Sequence, residues 1–129
     1  MEKYSREVEV MINRGRFIEA LESGNYKRGR NFLKQVDMGG YVCHCPMGVA
    51  CEIYHRDNQN QSKWQSDGDY FVFHIDGETI SRYNATLSVR KFLGMSREQV
   101  KSVVVAGDSG ASISHIVGMI RTMEIADED

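Results

Sequence analysis

Residues able to do chemistry gather in three places, and the densest is Tyr41 to Tyr54, which holds all three cysteines, the only proline and one of the four histidines. A short β-favouring run ends at His44. Pro46 suits the first helical position, where its missing N–H costs nothing, and Met47, Val49, Ala50, Ile53 and Tyr54 can then line one helical face. Cys45 falls near the N-cap of that helix, where unpaired amides attract anions and lower the pKa of a thiol, so it is a candidate ligand contact. Packing is the favoured role for Cys45 and Cys51, since free cysteine is among the most buried residue types and Gly48 would let helix and strand approach closely. Cys43, His44, Cys45, Cys51 and His55 offer sulfur and nitrogen, but a structural zinc wants four convergent ligands, often in two knuckle pairs. A helix that turns Cys51 inward does not supply them, and no metal is assigned.

The second place is Tyr26 with Lys27, Arg28 and Arg30, a basic turn in which cations can grip phosphate oxygens while an aromatic face stacks on a base. Trp64, in a polar stretch, is a further stacking surface or a lid on the core. The third is Gly107-Asp108-Ser109-Gly110, where Asp108 and Ser109 could orient a ligand at a helix start. Its four-residue echo of a trypsin-like nucleophile segment lacks the long all-β domain such enzymes need, which favours a turn and cap. His74 shares a hairpin face with Val72, Arg82, Tyr83 and Asn84 could line a groove, and His115 sits among apolar helical neighbours. No paired carboxylates, Ser/His/Asp set or glycine-rich phosphate loop stands at catalytic spacing, so the expectation is a protein without catalytic residues or cofactor.

Composition bounds the partners. A chain of 129 residues that is 41% hydrophobic suffices for one compact domain, expected to span residues 1–129 with an acidic frayed tail at 124–129. Sixteen basic against eighteen acidic residues, net -2, argue against general nucleic-acid binding. No apolar run is long enough to cross a bilayer. The opening has no secretory pattern, and with an odd cysteine count the expected setting is reducing and cytosolic.

The elements that must position these residues read as α+β: a small antiparallel sheet, a hairpin plus one further strand, packed with about five helices. Helical spacing predicts a helix over Tyr4 to Asn13, an interruption at Gly15, and a second short helix from Arg16 to Glu22. Phe32, Leu33 and Val36 anchor back to the core, and Gly39-Gly40 marks a turn. Arg56 to Asp69 reads as an exposed loop. Tyr70 to Ile75, then Asp76-Gly77 and Glu78 to Ile80, is the clearest hairpin signal, with Tyr41 to His44 as a third strand. Leu87 to Leu93 reads as a helix stopped by Gly94. Ser96 to Gln99 has the form of a capping box opening the next helix through Val104, and Ser112 caps a last one along Ile113, Ile116, Val117 and Ile120.

Two stretches resemble a group of small, mostly uncharacterised bacteriophage and prophage proteins. Phe17-Ile18-Glu19-Ala20-Leu21-Glu22-Ser23-Gly24-Asn25-Tyr26-Lys27-Arg28-Gly29 is similar to that group's Trp-x-x-Ala-Leu-x-Ser-Gly-x-Tyr-x-Gln-Gly. Cys45-Pro46-Met47-Gly48-Val49-Ala50-Cys51-Glu52 is similar to its Cys-Cys-Leu-Gly-Val-x-Cys-Asp, with Pro46 in place of the second cysteine. The resemblance implies a viral binding protein acting in the host cytoplasm. By analogy of setting, that means sequestering a cyclic nucleotide signal of anti-phage immunity such as CBASS, with the phosphorylated ligand held by a homo-oligomer. Tyr26, Lys27, Arg28, Arg30, Cys45, Trp64, Asp108 and Ser109 are the expected ligand contacts. The competing expectations are a phage inhibitor that binds a host protein through its surface and, third, a cysteine- or metal-dependent enzyme.

Overall fold

The computed structural model describes residues 5–79, 81–82 and 85–127. The expected groove residues Tyr83 and Asn84, and Ile80 and Tyr4, lie outside them. Its class is α+β, with five helices and a five-stranded sheet. Helix α1 (Arg6–Glu22) buries Val10, Arg14, Phe17 and Leu21 at alternating four- and three-residue steps. It is one helix and not the expected two. Gly15 faces outward with no neighbour within 4 Å, and a glycine there costs only about 1 kcal/mol, less than the flanking anchors supply. Arg14 is the stronger anchor: its guanidinium donates to the carbonyls of Leu93, Gly94, Met123 and Glu124. Further contacts reach the last described residues. Gln99 also donates to the Glu124 carbonyl, Arg6 to that of Ala126, and the Ala126 amide to Gly94.

Strands β1 (Lys27–Arg28), β2 (Lys34–Val36), β3 (Val42–His44), β4 (Ser62–Asp67) and β5 (Tyr70–Ile75) lie in the order β1-β3-β2-β5-β4, with β1 parallel to β3 and the other pairs antiparallel. The sheet is therefore larger than expected, and mixed. The stretch read as an exposed loop supplies β4, which pairs along its whole length with β5 across a two-residue turn at Gly68-Asp69, Gly68 having φ +71°. Polar side chains on an edge strand hid it, because such a strand buries only part of one face and uses charge to blunt its open edge. The expected turn at Asp76-Gly77 is present, and among the described residues what returns across β5 is a single bridge between Phe73 and Ser81.

Helix α2 (Pro46–Asp57) is the hub, with eight of its twelve residues buried from Pro46 to Tyr54. It rests so close to the chain entering β2 that a Cβ on Gly48 would fall 1.7 Å from the Leu33 carbonyl oxygen. Around it pack α3 (Leu87–Leu93), closed by Gly94 at φ +62°; α4 (Arg97–Asp108), opened by the Ser96/Gln99 capping box; and α5 (Ile113–Thr122), capped by Ser112. One core joins α1, α2, β5 and the last three helices through Phe17, Met47, Ile53, Phe73, Leu93 and Ile116.

Candidate functional site

Two concave regions bear on function, and the basic turn belongs to the smaller. Strand alternation sends Lys27 and Arg28 to opposite faces of β1. Lys27 goes outward, 2.5 Å from Asp37 and over the Tyr41 ring. Hydrogen bonding from Lys27 and from the Tyr41 amide holds the Asp37 carboxyl down at about 2. Arg28 turns inward and donates to the Gly107 carbonyl at the C-terminal end of α4, where a helix favours a cation. Arg30 runs beside Gly110. The three cations do not converge.

Arg28 and Tyr26 meet His44, Leu21, Pro46, Val49 and Ile113 around a cavity of about 120 Å³. Behind it Glu52, on α2, ties the sheet to the helix. His44 Nε2 donates to one carboxylate oxygen at 2.7 Å, Trp64 Nε1 to the other at 2.8 Å, and Lys34 pairs at 3.1 Å while lying over the Trp64 and Phe71 rings. Burial alone would push this carboxyl up. The bonds from His44 and Trp64, with the charge of Lys34, win and hold it at about 2. Trp64 is thus half-buried against Phe73, and its indole N–H is already used. Glu52 was overlooked in the sequence, although an acid at the centre of an otherwise apolar helix is itself the signal that a buried partner set is near.

Cys45 caps α2 without a side-chain hydrogen bond. Burial pushes its thiol up to about 11, more than the helix-start amides and its own amide pull it down. Cys51 is driven up further by complete burial, and all three cysteines are free. That is the opposite of an activated nucleophile. Among the described residues no group of three His, Cys, Asp or Glu is placed to hold a metal ion. Asp108 and Ser109 end α4 and do not start α5: Ser109 donates back to the Ala106 carbonyl, and Asp108 accepts from the Asn31 amide, whose residue has φ +72°. The expected turn therefore begins one residue after Asp108.

The larger region is an open cleft of about 740 Å³ between residues 77–79 and 81 and helices α3 and α4. Arg90 forms its floor. Only 7% of this arginine is exposed, and among the described residues its guanidinium has no hydrogen-bond or ion-pair partner. Arg97 and Lys101, one turn apart on α4, stand exposed on the rim, against Glu78 and Glu98. Glu78 is already engaged by the amide and hydroxyl of Ser88. The hydroxyl oxygen of Thr86, also lining the cleft, is buried without a partner. Sequence reasoning missed this site, yet Arg90 lies three residues from both Leu87 and Leu93, a cation set into an apolar stripe.

The chain belongs to the family described as a domain of unknown function, DUF8296. The match covers residues 11–124, a span that includes both regions. No curated protein and no solved structure matches the chain. No helix among the described residues is long and apolar enough to cross a membrane.

Proposed function

We propose that this is a non-enzymatic binding protein that takes a phosphorylated nucleotide into the cleft above Arg90, and so sequesters a cyclic nucleotide signal of host anti-phage defence. The observation that carries the reading is Arg90. Arg90 is largely buried with no acid of its own among the described residues, its guanidinium meets only the open cleft, and a ligand phosphate is the partner that would pair with it bidentately. A volume of about 740 Å³ suits a nucleotide-sized ligand, and Arg97 and Lys101 would add charge at the rim. The phage origin, the host cytoplasm as the place of action and assembly as a homo-oligomer follow the resemblance in the two sequence stretches. The test is thermal unfolding of wild-type and Arg90→Gln protein against a panel of cyclic di- and trinucleotides. At a hundredfold excess over Kd the right ligand stabilises by about 2.7 kcal/mol, and the gain disappears in the variant. A flat melting temperature across the panel sinks the reading.

A second reading, inhibition of a host protein through a surface, is favoured by apolar side chains left in water: Met38 and Tyr41 near the β2–β3 turn, with Val8, Met11 and Ile12 on the outer face of α1. Met38→Asp that abolishes suppression of defence, in protein indifferent to every nucleotide, would establish it.

A further inference from the structure

The small cavity holds an unmet need of its own, independent of the cleft. His44 Nδ1 and Arg28 Nε are both buried without a hydrogen-bond partner, and both residues line the same 120 Å³ space. Each such atom has given up the hydrogen bond that water would supply. No carboxylate lines the cavity; Glu52 is spent on the far nitrogen of His44, and Arg28 has only the Gly107 carbonyl. We infer that the cavity is a site for a free hydrogen phosphate ion.

The donor and acceptor pattern selects this chemistry. A carboxylate only accepts, so the bond to Glu52 places a proton on Nε2 of His44, and in the neutral imidazole Nδ1 is then a lone pair. Arg28 Nε–H donates. Hydrogen phosphate answers both at once, one oxygen accepting from Arg28 and its hydroxyl donating to His44. Water could pair with either atom but would leave the guanidinium without a counter-charge. The volume equals the share of about four waters, room for a tetrahedral oxyanion and little more. Tyr26 is the movable wall: its ring stands edge-on to the imidazole at 5.1 Å, and its hydroxyl accepts from Arg56 at the surface. Swinging that ring outward would open the way to both nitrogens.

The experiment is calorimetric titration with inorganic phosphate, sulfate and phenyl phosphate at pH 8, above the ordinary imidazole range, with the ring nitrogens of His44 followed by NMR. Sulfate at that pH has no hydroxyl to give. Expected are saturable phosphate binding that moves the His44 signals, at least tenfold weaker sulfate binding, and at least tenfold loss in Arg28→Gln with none in Arg90→Gln. Phenyl phosphate, whose second pKa of about 6 leaves it a dianion without a hydroxyl at that pH, is expected to bind as weakly as sulfate, and binding as tight as that of inorganic phosphate overturns the inference. Absence of phosphate binding, equal binding of sulfate, or loss in Arg90→Gln alone overturns the inference. Should Arg28→Gln fail to fold, the phosphate-to-sulfate ratio and the His44 shifts of the wild type still decide it.

Discussion

The Glu52 network behind the small cavity and the cleft above Arg90 handle buried charge in opposite ways. Around Glu52 every charge is answered inside the protein: three donors converge on one carboxylate, and the set joins β2, β3 and β4 to α2. Arg90 is answered by nothing that the described residues offer. A satisfied network holds a fold together; a cation without a protein partner in a wide cleft is free to take up a ligand anion. The first region should therefore be intolerant of substitution and the second tolerant in stability though not in binding.

The largest effect is expected where the hub helix meets the sheet. Gly48→Ala drives a methyl group into the Leu33 carbonyl, and chemical denaturation should register a loss of roughly 3 kcal/mol or more. Next comes Glu52→Gln, which leaves Lys34 without its counter-charge and weakens the bonds from His44 and Trp64, for a loss of about 2–3 kcal/mol. Because the folded-state carboxyl is depressed to about 2, its stabilisation is present above the ordinary carboxylate range and fades as pH falls from about 5 towards 2. Urea titrations across that window should slope less in the glutamine variant; an identical acid limb would show that Glu52 is not the titrating anchor.

Arg90→Met should reverse the sign. Replacing an unanswered buried cation by an apolar chain of similar length is expected to raise stability by about 1 kcal/mol while abolishing anion uptake in the cleft. A marked destabilisation would mean that Arg90 is structural after all, and the contrast between the regions would collapse. The smallest effect concerns the thiols. With Cys45 pushed from 9.0 to about 11, its thiolate at pH 8 falls about a hundredfold, so alkylation mapped by mass spectrometry should spare Cys45 and Cys51 until the protein unfolds.

Much of the helical architecture was legible because its signals are local. The Ser96/Gln99 capping box, the stop at Gly94 and the Ser112 cap each depend on residues within one turn, and all three are formed. Gly48 was readable as a close approach for the same reason. The sheet was less so. β1 and β2 are two and three residues long, too short for periodicity, and β4 is polar because it lies on an edge. Of the candidate site, Tyr26 and Arg28 do line a cavity, whereas Lys27 pairs with Asp37, ten residues further along the chain.

What the sequence determined by itself is the α+β class, the buried helix after Pro46 and the caps, since each follows from spacing and backbone chemistry within a few residues. Tertiary structure alone decided which polar groups found partners. Glu52 meets His44, Trp64 and Lys34, and Arg14 meets the carbonyls around Leu93 and Met123, across separations that no local pattern encodes. Arg90 is left over in the same way. Whether a buried charge is satisfied depends on what the whole fold brings within about 3 Å of it, and that distance is written nowhere in the order of the residues.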